Sequence, residues 1–169
     1  PERPELEHWE ARLRADVVGR KVRALDVHQA LVLRVLTGES PGDLLVGQRI
    51  VGVVRRGHFM VLQCAPSGLW LAVHPMLAGR FQRCAPTLRR TKDTCFTLTL
   101  SDGQQLRYRD NKRMGKAYVL PAEKADQVPG LATIGVDVLG PEFTLAWFTA
   151  VARKRRDQVK VFLLDKSVL

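Results

Sequence analysis

The sequence predicts a mainly β protein with flanking helices: a two-layer antiparallel β-sandwich with an N-terminal helix and C-terminal helices. Three observations predict it. Residues 4–18 put Leu6, Trp9, Leu13 and Val17 at three- and four-residue steps on one face, and Gly19 follows as a stop. Seven or eight short strand-like stretches then occupy about a hundred residues, the density expected of a sandwich. Helical spacing returns over 143–152 and 157–164.

Each element has its own signal. The strand-like stretches are 22–35, 49–63, 69–74, 79–84, 95–100, 105–109 and 116–120, rich in β-branched and aromatic residues. Ser40-Pro41-Gly42, Pro66-Ser67-Gly68 and Ser101-Asp102-Gly103 separate them as turns. Residues 94–101 and 104–110 alternate around Asp102-Gly103 and form the strongest hairpin candidate. Between the two C-terminal helices lies a basic hinge, Arg153-Lys154-Arg155-Arg156.

At 169 residues and 46% hydrophobic, the chain can bury a core of ordinary size. Charge is the outlier. There are 27 Lys and Arg against 17 Asp and Glu, giving +10, and the pI is near 10.2. Such an excess favours a polyanionic partner, nucleic acid before an acidic membrane surface. Apolar runs fall far short of a bilayer span and no charged-then-apolar leader opens the chain, which predicts a soluble, intracellular protein. Cys64, Cys84 and Cys95 include no C-x-x-C pair and read as buried thiols in a reducing compartment. No Ser/His/Asp set or P-loop is present, and His8, His28, His58 and His74 are scattered.

The first residues, PERPELEHWE, admit two readings. Proline and acids suit the first turn of a helix. With position 1 as the mature terminus, Pro1 is also a secondary amine that ionises near 8, well below a lysine, with a carboxyl group beside it. The basic stretches Arg55-Arg56, Arg89-Arg90-Thr91-Lys92, Lys112-Arg113 and Arg153–Arg156 recur at turns and strand ends. Loops on one rim of a sandwich could there track phosphates. A terminal nucleophile and a polyanion-binding rim together point to amine chemistry on DNA.

Pro1-Glu2-Arg3-Pro4-Glu5-Leu6-Glu7 resembles P-E-L-P-E-V-E, the opening signature of the formamidopyrimidine-DNA glycosylase/endonuclease VIII (Fpg/Nei) family. Five further stretches keep that family's order. VVRRGHFMVLQ (53–63) looks like R-R-x-K-Y/F, and LAVHPMLAGRF (71–81) like H-L-G-M-S-G. SDGQQLRYRDNKRMG (101–115) is similar to S-D-G-x-x-L-x-Y-x-D-x-R-R-F-G. IGVDVLGPEFT (134–144) resembles L-G-P-E-P-L, and QVKVFLLDKSVL (158–169) resembles I-K-x-x-L-L-D-Q-x-x-V. The likeness spans essentially the whole chain.

The resemblance implies a base-excision repair DNA glycosylase/AP lyase acting on damaged double-stranded DNA through a Schiff base on Pro1. Glu2 and Glu5 complete the catalytic set it implies. Leu77, Lys112 and Met114 fall where the family fills the hole left by a flipped base, with His74, Arg113 and Lys160 at phosphate-contacting positions. It also implies a monomer, a bacterial cytoplasmic and nucleoid-associated location, and no cofactor or metal in this chain. Residues 1–152 would be the catalytic sandwich domain. Residues 153–169 would begin the connection to a helix–two-turn–helix domain and a zinc or zincless finger beyond Leu169, making this chain a fragment or a shortened relative.

Departures from the pattern carry expectations of their own. His58 stands where the family usually has a phosphate-gripping lysine, and a neutral imidazole lacks that charge. His74-Pro75-Met76-Leu77 replaces H-L-G-M, so Met76 competes with Leu77 as the inserted residue. Two other readings stand beside the enzyme: a catalytically weakened or inactive DNA- or damage-binding relative, and a basic RNA- or ribosome-binding β domain.

Overall fold

The computed structural model describes residues 2–132, 135–165 and 168. They fall into two compact units, residues 1–124 and 125–169. The first is the expected sandwich. It opens with helix α1 (Arg3–Val17), followed by β1 (Val22–Val27), β2 (Leu33–Val35), α2 (Pro41–Leu45), β3 (Arg49–Arg56), β4 (Phe59–Ala65), β5 (Leu69–His74), β6 (Arg80–Cys84), β7 (Thr94–Leu100), β8 (Gln105–Arg109) and β9 (Lys116–Pro121). One sheet has the order β1-β7-β8-β6, the other β2-β9-β5-β4-β3. Pairing is antiparallel apart from β2, whose three residues run parallel to β9.

The core lies between the sheets. Leu62, Leu71, Val73 and Val119 face Phe96, Leu98, Leu106 and Tyr108, all buried. Leu6, Leu13 and Val17 of α1 belong to the same cluster, and Trp9 is half-buried beside it. Burying each such aliphatic side chain is worth about 1.5–3 kcal/mol. The exposed ion pairs along α1, Arg3–Glu7 and Glu10–Arg14, both at 2.7 Å, are worth only about 0.2–0.5 kcal/mol each. The helix is therefore held by its buried face. It stops at Gly19, which takes φ +85° and donates its amide to the Ile50 carbonyl at 2.7 Å.

Some expected boundaries move. The stretch 22–35 is two strands in different sheets, because His28 and Gln29 both donate to the Cys95 carbonyl (2.8 and 3.0 Å) and turn the chain across. The stretch 49–63 is a hairpin, with Arg56 opposite Phe59 and Gly57 at φ +58° leading a two-residue turn. Ser40-Pro41-Gly42 is a helix start rather than a simple turn, with the Ser40 hydroxyl accepting from the Asp43 amide at 3.1 Å. Cys64 and Cys95 are buried thiols as expected, with burial raising each to a pKa of about 11. Cys84 is only half-buried.

The topology gathers several loops at one end of the sandwich. β3 runs up to the 57–58 turn, and β5 ends there at His74, paired with Lys116 at the start of β9. In the other sheet Arg80, opening β6, pairs with Arg109, closing β8. Loops 75–79 and 110–115 therefore emerge together. α1 lies antiparallel to β3, since Arg14 donates to the Val53 carbonyl (2.9 Å) and Gly19 to that of Ile50. Twelve residues of helix back from Arg14 is about 18 Å, which carries Glu2 past the end of β3 toward those same loops.

The second unit contains α3 (Leu145–Ala152) and α4 (Val159–Leu163). Thr144 caps α3, its hydroxyl accepting from the Trp147 amide at 3.1 Å. Phe143, Trp147, Phe148 and Phe162 form a chain of ring contacts with centroids 5.6–5.8 Å apart. In the basic stretch, Arg155 is paired to Asp157 and Asp165, both at 2.7 Å. Among the described residues no helix is long and apolar enough to cross a membrane.

Two predictions follow from these contacts. The Asp110 carboxylate, 1% exposed, accepts from the Lys112 amide (2.9 Å) and the Gly115 amide (2.7 Å). Asp110→Ala strands both donors and should cost about 1–3 kcal/mol in denaturant unfolding, with faster hydrogen exchange at Lys112 and Gly115. Asp102 is pushed up by burial but pulled further down by hydrogen bonds from Arg20, the Gln104 amide and Arg83, so its folded pKa lies below the ordinary value. Its contribution is therefore complete above the unfolded carboxylate's range and is lost as pH falls below about 4. Thermal unfolding followed down that range should show the loss, and Asp102→Asn should reduce it.

Candidate functional site

The catalytic set expected from the sequence begins at Pro1, which lies outside the described residues. Glu2 is exposed and forms the cap position of α1. Its backbone is held on both sides: the amide donates to Glu5 Oε2 at 3.0 Å, and the carbonyl accepts from the Leu6 amide at 3.1 Å. Glu5 thus orients Glu2, and Leu6 ties the same turn into the core.

His58 sits exposed on the β3–β4 turn, which Arg55 braces by donating to the Gly57 carbonyl at 3.0 Å. His74 is half-buried at the end of β5. The two imidazoles lie nearly parallel, with centroids 5.8 Å apart and 10° between planes. The edge-on Phe59 ring packs against His74 at 4.9 Å. His74 Nδ1 accepts from the Met76 amide at 3.1 Å, a geometry that assigns the neutral ring's proton to Nε2.

Loop 75–79 turns tightly, the Gly79 amide donating to the Pro75 carbonyl at 2.9 Å. Met76 takes φ +52°, a left-handed conformation uncommon outside glycine. The turn leaves Met76 half-buried and presents Leu77 outward, 77% exposed. Of the two candidates for an inserted residue, Leu77 is the one held out to solvent.

Loop 110–115 presents Lys112, Arg113 and Met114, all exposed, Met114 at 45%. Arg113 takes φ +54° and its amide donates to the Asp110 carbonyl at 3.3 Å. The Asp110 carboxylate closes the turn on both sides. Lys160 is exposed on α4, in the second unit.

Not every basic residue is available to a partner. Arg109 is held by both oxygens of Asp93 (3.1 and 3.0 Å), while Arg20 and Arg83 share Asp102. Arg107 is buried, donating to Gln105 Oε1 (2.7 Å) and the Leu88 carbonyl (2.8 Å). These arginines brace strands and loops. The exposed cations at the loop end are Lys112, Arg113, Lys116 and Arg80, the last 3.8 Å from Asp93.

Sequence reasoning overlooked Tyr108 and Asp110, although both lie in a stretch it singled out. Tyr108 is fully buried, and burial, with the Asp110 charge nearby, raises its phenol far above the usual range. The Asp110-to-Gly115 spacing is visible in the sequence, but the burial of Tyr108 and Asp110 and the pinned turn emerge only from the fold.

Comparison with known proteins gives the lineage. Residues 1–117 match the family described as formamidopyrimidine-DNA glycosylase N-terminal domain. The chain is 28% identical to the formamidopyrimidine-DNA glycosylase of Pelotomaculum thermopropionicum over 100% of its own length and 61% of that protein. It is 32% identical to that of Rhodococcus opacus over 100% of its length and 60% of the relative. The chain thus spans about three fifths of these curated relatives. Its fold matches Lactococcus lactis Fpg in complex with an abasic site containing DNA, with a TM-score of 0.86 and 24% identity, covering 100% of this chain and 62% of that one. It also matches MutM in complex with carbocyclic 8-oxo-G containing DNA, with a TM-score of 0.84 and 25% identity, over 99% and 62% of the two chains. The start of α1 and the two pinned loops lie within the matched segment, and the chain belongs to the formamidopyrimidine-DNA glycosylase N-terminal domain family.

Proposed function

We propose that the intact gene product is a base-excision DNA glycosylase/AP lyase and that this chain supplies its nucleophile and its lesion-side loops. The observation that carries the reading is directional. The start of α1 points to the end of the sandwich where the 57–58, 75–79 and 110–115 loops emerge. A terminal amine beside Glu2 would face a lesion held by those loops.

The chemistry follows from a secondary amine. The Pro1 nitrogen forms a bond to C1′ while the glycosidic bond breaks, and the base departs with the bonding pair and takes up the proton that the amine releases. Glu2 protonates the sugar ring oxygen, the ring opens, and an iminium forms between C1′ and nitrogen. That nitrogen carries no proton to lose, so the cation persists and acidifies C2′–H. Loss of this proton expels the 3′ phosphate, a second elimination expels the 5′ phosphate, and water then frees the amine. Glu5 is the positioning residue of this centre, acting through the Glu2 backbone.

The loops divide the work on DNA. Leu77, Lys112 and Met114 enter the space left by the flipped base. Arg113, His74, His58 and Lys160 hold phosphates. His58 stands where the family usually has a lysine, with Arg55 and Arg56 close in sequence. The reading gives a monomer on damaged duplex DNA in a bacterial cytoplasm, associated with the nucleoid.

Borohydride should trap a covalent adduct between the intact protein and an abasic duplex, with Pro1 in the cross-linked peptide. Trapping that persists after acetylation of the terminal amine would remove Pro1 from the mechanism. Glu2→Gln should leave abasic-DNA binding intact while slowing base release. Arg113→Ala should weaken binding to all duplexes alike and reduce the slope of log K against log salt by about 0.9, one phosphate's worth. Leu77→Ala should keep that slope and lose lesion preference. The reverse pattern would exchange the roles assigned to the two loops.

A further inference from the structure

Tyr108 presents a contradiction. Its ring is clamped in the core, stacked on Phe96 (5.3 Å between centroids, 22° between planes) and tilted against Phe81 (5.5 Å, 58°). Its hydroxyl is buried and has no hydrogen-bond partner among the described residues. Phenylalanine would fill the same ring site without stranding a polar atom, so stability does not account for the oxygen.

The hydroxyl's surroundings supply a different account. It lies against the backbone of two glycines in separate loops, Gly79 and Gly115. A Cβ at either glycine would collide with Tyr108 Oη. At Gly79 that Cβ would also stand 2.8 Å from Tyr108 Cζ and 2.5 Å from the Pro75 carbonyl oxygen. At Gly115 it would stand 3.0 Å from Cζ and 3.1 Å from Asp110 Oδ2. Neither glycine has the positive φ that would demand glycine for its conformation. At Gly115 the hydroxyl is the main obstacle to a side chain; at Gly79 the Pro75 carbonyl oxygen stands in the way as well.

Gly79 closes the loop that presents Leu77, and Gly115 closes the loop that presents Lys112, Arg113 and Met114. We propose that the Tyr108 hydroxyl is a spacer between these two loops: it sets their separation and thereby tunes how the protein discriminates the base opposite a lesion, without touching DNA. The discrimination half of this proposal rests on the glycosylase reading above. The spacer half rests on the packing alone. Tyr108 is a positioning residue. Its ring is fixed by Phe96 and Phe81, so the oxygen is a rigid stop. Removing one atom lets either loop settle inward while the core stays filled.

The test is a cycle of Tyr108→Phe, Gly115→Ala and the pair, in the intact gene product. Tyr108→Phe should leave the melting temperature unchanged or higher. Gly115→Ala alone should lower it by several degrees, and adding Tyr108→Phe should recover most of that loss. A loss equally large in the pair would overturn the spacer. Borohydride trapping rates on abasic duplexes with cytosine or adenine opposite then read discrimination. Tyr108→Phe should shift the ratio of the two rates by about five-fold or more, the lower end of ordinary site-to-site coupling. An unchanged ratio at unchanged stability would overturn the discrimination role. If the unmodified protein traps no abasic DNA at all, the glycosylase reading and the discrimination role fall together, and the thermal cycle still decides the spacer.

Discussion

The geometry of the loop end depends on one constraint: the first helix of the chain is part of the core that joins the two sheets. Leu6, Leu13 and Val17 are buried among residues of both sheets. The chain terminus would otherwise be among the most mobile parts of a domain. Here the first turn is fixed by Leu6 below and by Glu5 accepting from the Glu2 amide above. On the reading proposed above, a nucleophile one residue ahead of this turn would take its orientation from hydrophobic burial. Near-attack geometry is the part of catalysis that a rigid mount can supply.

Charge is partitioned in the same way. The +10 excess in the sequence suggests a uniformly basic surface. The structure instead uses several cations as internal braces. Arg20 and Arg83 converge on Asp102 at the 101–104 turn, and Arg109 grips Asp93 with two parallel bonds. Arg107 hydrogen-bonds neutral oxygens beneath the 85–93 loop. What remains exposed at the loop end is a smaller group led by Lys112, Arg113 and Lys116. Exposed cations are the ones that can release counterions on binding a polyanion. Composition therefore overstates the electrostatic footprint, and position corrects it.

How much was legible in the sequence can be judged element by element. The 94–110 hairpin was readable because its turn chemistry is local: Gly103 at φ +79° and the Asp102 carboxylate accepting from the Gln104 amide at 3.1 Å. Helix α1 was readable from its buried face. The crossing of β1 to β2 was not, since it is driven by a long-range contact with the Cys95 carbonyl. Gly57-His58 hid a hairpin inside a long strand-like stretch because a lone Gly-His pair is a weaker turn signal than Asn-Gly or Asp-Gly. Of the site residues, Pro1 and Glu2 could be suspected from chemistry alone. Leu77, Lys112, Arg113 and Met114 came only from family likeness, because an exposed apolar or basic loop residue has no local signature. Tyr108 and its two glycines lie in stretches that resemble the family, 71–81 and 101–115, but their meeting requires the tertiary fold.

The two loops that meet at Tyr108 are also the strained ones. Met76 and Arg113 are the two non-glycine residues with positive φ among those described, and each lies in one of the two loops. Such conformations cost of order 1–3 kcal/mol and persist where surrounding contacts over-determine them. Both loops have those contacts. His74 Nδ1 takes the Met76 amide, and Gly79 closes onto Pro75. Asp110 takes the amides of Lys112 and Gly115 through its carboxylate and that of Arg113 through its carbonyl. In each loop the strained residue is adjacent to a side chain held outward, Leu77 after Met76 and Met114 after Arg113. A relaxed backbone at these positions would redirect those side chains. The cost of the strain is thus matched to a specific geometric result: two apolar tips, on two loops that each cross from one sheet to the other, presented at the same end of the sandwich.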